Sequence, residues 1–596
     1  MKKLLEMISE EMQAAFEEAG YGETEAGGQL GRVTLSNRPD LCEYQCNGAM
    51  AGAKKFRKAP AVIAGEVAER LRGSKVFSQV EAVMPGFLNL KLSETFLRDY
   101  LQDMRQAEKF GLDKPAKPQK IIIDYGGANV AKPLHVGHLR SAVIGESIKR
   151  ICRYAGHEVI GDAHLGDWGL QMGLVIMGIK ERQPDLVYFD ESYEGEYPVE
   201  APFTISELEE IYPASSLKSK EDPAYKAQAM EATYKLQNGV RGYRALWQHM
   251  MNVSVTDLKK VYSSLNVEFD LWKGESDVRD LIPEMVQYMK DGGYAYISEG
   301  ALVVDVKEET DTKEVPPCMI LKSDGASLYN TSDLATILER TRLYHPDQII
   351  YLTDKRQDLY FDQIFRCARK TKLVEPGTKL KWIGFGTVNG SDGKPFKTRD
   401  GGVMRLETLI QETRDEMLRK IKEGREMSEQ EAKDVADMVA ISALLYGDLS
   451  NQASKDYIFD MDRFTSFEGD TGPYILYTIV RIKSILTKYA EQGGSPDDRE
   501  SLELLPASSL AEKQLMMQLA GFNAMMESAS EETAPHKVCA FIYDLANAFN
   551  RFYHETKILA EEDEARKRSL IALLLLTREV LETCIQVLGF EAPEKM

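Results

Sequence analysis

The clearest pattern of apolar and polar residues lies between residues 121 and 154. The apolar run Ile121-Ile122-Ile123, bounded by turn residues, is typical of a buried strand. Further along, apolar residues recur at spacings of one, three and four, and positively charged residues occupy the other face. This periodicity predicts an amphipathic helix that ends near Gly156. The apolar positions are Leu139, Val143, Ile144, Ile148, Ile151 and Cys152, and the charged ones are Arg140, Lys149, Arg150 and Arg153.

This predicted strand, turn and helix form a candidate anion site. Such a unit brings backbone N–H groups and the positive end of a helix dipole to one point of a cleft. His135 and His138 can donate hydrogen bonds to phosphate oxygens, and Gly137 lets a base or phosphate lie close to the backbone. Neither a Walker loop nor a dinucleotide fingerprint is present. The pattern favours phosphoryl or nucleotidyl chemistry, although the two histidines could instead hold a metal or cap the helix.

The rest of the chain divides into three predicted regions. Residues 1–112 predict an α+β domain, which a link with two prolines, Pro115 and Pro118, separates from the next region. For residues 118–405 the sequence predicts a parallel sheet whose strands alternate with helices, and a polar, helical insertion at about 180–300. Residues 406–596 predict an all-α bundle. The expected fold class is multidomain α/β with a parallel-sheet core.

Composition narrows the class of protein. The 596 residues contain seven cysteines, an odd number without a Cys-x-x-Cys pair, so we expect buried thiols rather than disulfides or a zinc ribbon. No apolar run reaches the roughly 18 residues that span a membrane, and the residues after Met1 soon turn acidic instead of forming a signal-peptide core. These features predict a cytoplasmic protein with no membrane partner.

The net charge of −20 opposes non-specific coating of nucleic acid, because neutralised phosphates supply most of that affinity. It does not exclude one RNA partner that is held by a local basic track. Positive residues between 54 and 75 could form such a track or simply a solvated helix face. These residues are Lys54, Lys55, Arg57, Lys58, Arg70, Arg72 and Lys75.

Two further segments carry candidate chemistry. Tyr329 and Asp333 are four residues apart, so in a helix they face the same way. A carboxylate beside a phenol suits a guanidinium group, which needs planar, charge-assisted hydrogen bonds. The segment 393–402 combines glycines with cations that include Lys397 and Arg399. A cationic loop of this kind would stabilise a departing pyrophosphate.

The residues from Asn129 to Ser141 resemble the first signature of class I aminoacyl-tRNA synthetases, His-x-Gly-His, in the form found in the arginyl-tRNA synthetases. The segments 44–50, 166–173, 262–276, 329–336, 443–451 and 467–474 resemble the same family, in the same order along nearly the whole chain. The loop 393–402 stands in the place of the second signature, commonly Lys-Met-Ser-Lys-Ser, and departs from that form. The departure leaves open whether Lys397 or Arg399 acts.

The resemblance implies a class I synthetase with a Rossmann-type catalytic core, an additional tRNA-binding N-terminal domain and a helical anticodon-binding domain. It implies that ATP, with Mg²⁺, activates L-arginine to arginyl adenylate and pyrophosphate. Arginine then passes to the 3′-terminal adenosine of tRNA(Arg) for protein synthesis. His135, His138, Lys397 and Arg399 would be catalytic, and with Gly137 they would bind ATP. The family expectation is a monomer without a tightly bound metal of its own.

The resemblance also assigns the other binding residues. The arginine side chain would be held by Tyr329 and Asp333. Its amino and carboxylate end would be held by Asp124, Gly127, Asn129 and Gln357. The tRNA-contacting residues would be Gln45, Asn47, Tyr474, Arg481 and Met596. Aromatic and Arg side chains suit unstacked RNA bases. From the residues alone, Gln45 and Asn47 could equally be buried turn polars, and Tyr474 could be a core residue.

Two other functions remain open at this point. One is an adenylate-forming nucleotidyltransferase with a different amino-acid specificity. The other is a catalytically silent tRNA-binding paralogue, which the presence of both histidines and the cationic loop disfavours. Amino-acid-dependent pyrophosphate exchange, assayed with tRNA over all twenty amino acids, separates the three functions.

Overall fold

The computed structural model describes residues 1–22, 29–396, 404–424, 427–496, 498 and 502–596. The first region is an antiparallel sheet, with strand order β1-β2-β4-β3, covered by helices. Leu88, Leu90 and Leu92 alternate along β4 and therefore share one face, where they join Ile8 and Met12 of α1 in the core. The elements are α1 (Leu4–Glu18), β1 (Val33–Leu35), β2 (Tyr44–Cys46), α2 (Gly48–Phe56), α3 (Pro60–Arg70), β3 (Phe77–Val83), β4 (Phe87–Leu92) and α4 (Glu94–Gln106).

The middle region alternates strands and helices. Its elements are β5 (Lys120–Asp124), α5 (Val136–Ala155), β6 (Glu158–Asp162), α6 (Leu170–Arg182), α7 (Ile205–Glu221), α8 (Pro223–Gln237), α9 (Arg241–Ser263), α10 (Ile282–Asp291), β7 (Ala295–Ser298), β8 (Ala301–Val304), β9 (Cys318–Leu321), α11 (Tyr329–Tyr344), β10 (Gln348–Asp354), α12 (Asp358–Lys370), β11 (Lys379–Phe385) and β12 (Val388–Asn389). The helical prediction for 180–300 misses β7, which pairs with β8 at the edge of a small antiparallel sheet of order β7-β8-β9.

The main sheet of this region has the order β11-β10-β5-β6, and all its neighbouring strands are parallel. The predicted parallel sheet is therefore confirmed. Asp124, Asp162 and Asp354 are the last residues of β5, β6 and β10. Because the carboxyl ends of parallel strands lie at one edge, these carboxylates mark the edge where open α/β sheets bind ligands.

Helix α5 follows β5 and ends at Gly156, as predicted, with Gly156 in the left-handed region at φ 103°. The positive face of an amphipathic helix ordinarily meets solvent, but here Arg140 and Lys149 are 1% and 2% exposed. Helices α13 (Leu406–Gly424) and α14 (Glu429–Leu449) pack against α5 together with later helices of the chain. Arg140 Nε lies 3.1 Å from Asp448 Oδ2 on α14, and Lys149 Nζ lies 2.9 Å from Glu146 Oε2. Ion pairs thus replace solvent around these two side chains.

The last region is almost entirely helical, as predicted. It continues with β13 (Tyr457–Ile458), α15 (Met461–Phe464), α16 (Gly472–Glu491), α17 (Leu510–Ala520), α18 (Phe522–Glu531), α19 (Pro535–Glu555) and α20 (Glu564–Leu588). The short strand β13 pairs in parallel with β12 of the middle region. Across the described part of the chain, no helix combines the length and the apolar composition that crossing a bilayer requires. All seven cysteines are buried free thiols, which confirms that expectation.

The first and last regions meet through a buried cation. Lys513 of α17 lies 2.7 Å from Glu43 and 3.0 Å from Glu94, and it donates to the carbonyl of Leu92 at 2.6 Å. Its side chain is 7% exposed. Two carboxylates and a carbonyl compensate for the desolvation of this ammonium, so the contact holds the antiparallel sheet against the helical bundle.

The buried pair between Arg140 and Asp448 should be a strong contributor to stability. Removing one partner leaves an unpaired buried charge, which typically costs about 3–5 kcal/mol. We therefore expect Arg140→Met to lower the apparent Tm by roughly 2–5 °C in differential scanning calorimetry. Arg38→Met, which breaks the exposed pair with Asp40, is the control and should leave the Tm unchanged. Equal Tm values for the two variants would contradict the structural role of the pair.

Candidate functional site

A cleft of about 560 Å³ opens at the carboxyl ends of the main sheet. It brings together residues from β5, α5, α11 and the turn after β10, which are far apart in the sequence. All six residues predicted to bind arginine line it, and so do two of the residues predicted to bind ATP. These are Asp124, Gly127, Asn129, Tyr329, Asp333 and Gln357, with Gly137 and His138.

The rings of the two histidines cap the N-terminus of α5. The alternative that the histidines cap the helix is therefore correct for their hydrogen bonds. His135 Nδ1 accepts a hydrogen bond from the Gly137 N–H at 3.0 Å, and His138 Nδ1 accepts one from the His135 N–H at 3.1 Å. An imidazole nitrogen that accepts a backbone N–H carries no proton. Each neutral ring therefore has its proton on Nε2, and it presents that N–H as a donor.

The charge state of these rings follows from their surroundings. Burial, the neighbouring His135 and Lys132 lower the pKa of His138 to about 3. Burial and Lys132 also lower the pKa of His135. Both rings are consequently neutral near pH 7, and the positive character at this end of the cleft comes from Lys132 and the N-terminus of α5.

Two glycines allow close approach at the cleft. A Cβ on Gly127 would lie 2.3 Å from the carbonyl oxygen of His164, so only glycine fits there. A Cβ on Gly137 would lie 2.7 Å from Cε1 of His135. Gly137 therefore makes room for the His135 ring that caps the helix. At Gly127 and at Gly137 the close neighbour explains why the sequence has glycine.

Asp124 is part of a buried charge network beneath the cleft. Arg340 Nη2 donates to Asp124 Oδ2 and to Asp162 Oδ2, at 2.7 Å each. Burial alone would raise the pKa of Asp162, but His164, whose Nδ1 lies 3.7 Å from Asp162 Oδ2, and the charge of Arg340 hold it at about 2. The carboxylates at the ends of β5 and β6 are thus already partly neutralised by a cation of the protein itself.

The opposite wall of the cleft is acidic. Tyr329 and Asp333 open α11, so their predicted shared face is confirmed, and Tyr329 is 70% exposed. Burial raises the pKa of Asp333, although its carboxylate accepts a hydrogen bond from the Tyr360 hydroxyl. Glu275 also lines the cleft, and burial together with the charges of Asp167 and Asp333 raises its pKa to about 7. A bound cation would relieve the repulsion among these groups.

The segment that carries Glu275 is held by the loop after β6. Asp167 accepts hydrogen bonds from the Ser276 N–H at 3.0 Å and from the Ser276 hydroxyl at 2.6 Å. Glu275 N–H donates to the carbonyl of Leu165 at 3.1 Å. The Gly-Asp-Trp-Gly segment of the sequence therefore positions a carboxylate that lies more than 100 residues further along.

The cationic loop is only partly described. Lys397 and Arg399, which the sequence predicts to act on pyrophosphate, lie outside the described residues. Where the chain continues, it pairs with the segment that carries the first histidine. Val136 N–H donates to the Met404 carbonyl at 3.0 Å, and Leu406 N–H donates to the Leu134 carbonyl at 2.9 Å. The first signature segment therefore lies beside residues 404–406, which follow the cationic loop in the sequence.

A second cleft, of about 640 Å³, lies in the helical bundle and contains Tyr474, Arg481 and Met596. Asn550 joins the first two, because its amide donates to Tyr474 Oη at 2.8 Å and accepts from Arg481 Nη1 at 2.6 Å. The guanidinium of Arg481 also lies 4.8 Å from the ring centroid of Tyr477. A flat cation over an aromatic ring is a suitable platform for a nucleobase.

The two residues predicted to contact tRNA in the first region differ from each other. Gln45 lies on β2, and its side-chain amide donates to Asn89 Oδ1 on β4 at 2.9 Å. Asn47 is exposed and precedes α2 as its N-cap. Exposure leaves Asn47 accessible, whereas Gln45 is half-buried, so the alternative of buried turn polars is wrong for Asn47.

Sequence reasoning missed several groups of the first cleft. Glu275 lay within a stretch that resembles the family, but nothing local marked it as chemical. Arg340 and Tyr360 carry no motif, and they matter only because folding brings them to Asp124 and Asp333. Lys132 sits inside the first signature, and its place three residues before His135 was the one available signal.

Three family models match the chain. The model described as "tRNA synthetases class I (R), catalytic domain" matches residues 101–461. The "Arginyl tRNA synthetase N terminal domain" matches residues 2–92, and the "DALR anticodon binding domain" matches residues 475–596. The three matches follow the order of the three regions of the fold.

Similar proteins match from end to end. The proteins named arginine–tRNA ligase from Agathobacter rectalis and Alkaliphilus oremlandii are 63% and 55% identical to this chain, and each match covers 100% of both chains. The solved arginyl-tRNA synthetase of Plasmodium falciparum has a TM-score of 0.81 at 24% identity and covers 100% of both chains. That of Thermus thermophilus has a TM-score of 0.77 at 22% identity and covers 99% of this chain and 100% of its own. The two structures show the shared fold, and the family match and the full-length relatives place this chain in the arginyl-tRNA synthetase family of class I.

Proposed function

We propose that this chain is an arginine–tRNA ligase. It activates L-arginine with ATP to arginyl adenylate and pyrophosphate, and it transfers the arginine to the 3′-terminal adenosine of tRNA(Arg). The observation that carries the proposal is the cleft with two unlike walls. Glu275, Asp333 and Tyr329 form an acidic wall for a guanidinium, and His138 and the N-terminus of α5 form a donor wall for phosphates.

The acidic wall supports arginine as the substrate. A guanidinium offers five donors in a fixed plane and can pair with Asp333 and Glu275 at once. Because Arg340 bonds Oδ2 of Asp124, we assign Oδ1 to the substrate ammonium, with Asn129 and Gln357 beside it. The Tyr360 hydroxyl fixes the orientation of Asp333 for this role. Lysine would present one compact ammonium, which cannot make the planar pair.

The donor wall supports attack of the arginine carboxylate on the α-phosphate of ATP. Negative charge grows on the phosphate oxygens in the transition state, and the Nε2–H groups of His135 and His138 are preorganised donors for it. Lys132 adds a fixed positive charge nearby. ATP enters as its Mg²⁺ complex, and we assign Lys397 and Arg399 to the departing pyrophosphate. No side chain forms a covalent intermediate, so positioning and electrostatics supply the rate.

The remaining assignments concern tRNA contacts, domain boundaries, cellular location and oligomeric state. We infer that Tyr474, Arg481 and Met596 contact bases of the anticodon, since they share one cleft, and that Gln45 and Asn47 contact the tRNA from the first region. We propose domains of 1–112, 118–405 with an insertion at about 180–300, and 406–596. We infer a cytoplasmic location, which agrees with the free, buried cysteines. We also infer that the protein is a monomer.

Pyrophosphate exchange tests the proposed function directly. The chain is incubated with ATP, labelled pyrophosphate, tRNA and each of the twenty amino acids in turn. Exchange with arginine alone is the expected result. Exchange with a different amino acid would establish another specificity, and tRNA binding without any exchange would establish a catalytically silent paralogue.

Asp333→Asn tests the arginine pocket. Loss of the carboxylate removes the charged partner of the guanidinium. A site built to hydrogen-bond a substrate group binds that substrate much more weakly when the hydrogen bond is missing. We expect the KM for arginine to rise by at least about tenfold and the KM for ATP to change by less than about threefold. Tyr329→Phe, at an exposed side chain, should have the smaller effect. Steady-state aminoacylation measures both, and a raised KM for ATP alone would assign Asp333 to the nucleotide.

Glu275 predicts a pH dependence of arginine binding. With a pKa of about 7 in the free protein, Glu275 is protonated below pH 7 and cannot pair with the guanidinium. The KM for arginine should therefore rise by roughly tenfold from pH 8 to pH 6, since the ionised fraction falls by that factor.

Glu275→Gln is the matched variant for this prediction. Its KM for arginine should be raised at pH 8 and nearly constant down to pH 6. A variant that keeps the full pH dependence would assign the titration to another group, such as His164, whose pKa is raised by Asp162 and Asp124 despite burial.

His138→Ala tests the donor wall. Removal of one preorganised donor typically costs about 2.7–4 kcal/mol in the transition state. The rate of arginine activation should thus fall by roughly 10² or more, with little change in the Kd for tRNA. Single-turnover adenylate formation and filter binding measure the two quantities. A rate within about threefold of the parent would contradict this role.

A further inference from the structure

Helix α7, in the insertion between β6 and β10, reaches the segment that carries the first histidine. Its N-terminus is well defined, because Thr204 Oγ1 accepts from the Glu207 N–H at 3.3 Å and Glu207 Oε2 accepts from the Thr204 N–H at 2.7 Å. Glu209 and Tyr212 follow three residues apart and therefore share a face. Tyr212 touches Lys132 of the first signature segment, and Glu209 touches Arg405, which follows the loop 393–402 in the sequence.

The first contact is an ion pair. Glu209 Oε2 lies 2.7 Å from Arg405 Nη1, and the side chains are 7% and 54% exposed. Burial raises the pKa of Glu209, and the charges of Asp257 and Glu407 act in the same direction. The carboxylate is thus the buried partner, and Arg405 is the cation that keeps it ionised. An ion pair with one desolvated member holds its geometry better than an exposed pair.

The backbone of Arg405 is in turn paired with the histidine segment. His135 and Arg405 form an antiparallel bridge, flanked by the bonds from Val136 N–H to the Met404 carbonyl and from Leu406 N–H to the Leu134 carbonyl. His135 is also the residue whose N–H fixes the tautomer of His138. The position of Arg405 therefore affects the backbone of residues 134–136, which orients the Nε2–H donors of His135 and His138.

The second contact joins α7 to the histidine segment itself. Lys132 Nζ lies 4.3 Å from the ring centroid of Tyr212, within the range of a cation–π interaction. Lys132 precedes His135 by three residues and contributes to the electrostatic surroundings of both histidines. One face of α7 thus contacts the histidine segment directly and its paired strand through Glu209.

We propose that Glu209 is a positioning residue for arginine activation: it holds Arg405 against the histidine segment and so keeps the backbone of residues 404–406 in register with that of residues 134–136. This inference rests on the proposed function and adds a role for the insertion. Glu209 does not line the cleft, and it acts through Arg405 and the backbone of His135. A small displacement of preorganised donors is enough to slow a reaction that depends on positioning.

Glu209→Gln tests the inference, since it keeps the size of the side chain and removes its charge. The expected result is a kcat for arginine-dependent pyrophosphate exchange that is lower by roughly tenfold, because misplaced groups act mainly on the transition state. The KM values for ATP and arginine, the Kd for tRNA and the Tm should stay at the parent values. A merely structural role would instead lower the Tm and tRNA binding together with kcat, and that outcome would overturn the inference.

Variants of the partner and of a neighbouring pair complete the test. Arg405→Lys keeps the charge and should retain most of kcat, whereas Arg405→Met should match Glu209→Gln, and the double variant should be no worse than either single one. Glu210→Gln is the matched control, because it makes the same substitution at the next residue of α7, where it breaks an exposed pair of 3.4 Å with Arg182 of α6, and it should leave kcat unchanged. A parent kcat in Glu209→Gln would overturn the inference while leaving the proposed function intact, and an inactive parent chain would instead refute the proposed function.

Discussion

Helix α5 must present its first turn to the cleft while helices of the last region cover most of its length, and this constraint places charges inside the protein. Arg140 and Glu146 are buried, and each has a charged partner: Asp448 for the first, Lys149 and Arg150 for the second. An unpaired charge at such a depth would cost several kcal/mol. The register of α5 therefore depends on a carboxylate that α14 supplies, and the catalytic core and the bundle have to fold against each other.

The chemistry of the cleft follows from that fixed helix. In most helices the first N–H groups are capped by hydroxyl or carboxylate oxygens, whereas here ring nitrogens of His135 and His138 take this role. The capping bonds use Nδ1 and leave each Nε2–H available as a donor. One set of hydrogen bonds thus stabilises the helix, sets the tautomers and aims the donors. Such preorganisation suits a reaction in which charge develops on phosphate and no side chain has to react.

Local patterns in the sequence predicted local structure. The strand and helix between 121 and 154, the shared face of Tyr329 and Asp333, and the helical last region depend on periodicities of a few residues. The burial of Arg140 was not predictable, because its partner Asp448 lies 308 positions away. The pKa of Glu275 was equally hidden, since it results from burial and from Asp167 and Asp333. Lys397 and Arg399 lie outside the described residues and remain predictions from the sequence alone.

The same packing that fixes α5 also fixes the second cleft. Asp448 and Tyr446 lie on α14, and the Tyr446 hydroxyl donates to the Cys539 carbonyl of α19 at 3.1 Å. A Cβ on Gly472, at the start of α16, would lie 2.2 Å from the Ser442 carbonyl of α14, so α16 is seated as closely as two backbones allow. Tyr474 follows on that first turn of α16. A single helix, α14, therefore contacts both the helix that carries the histidines and the helix that begins the second cleft, and neither can shift without disturbing a close-packed contact on α14.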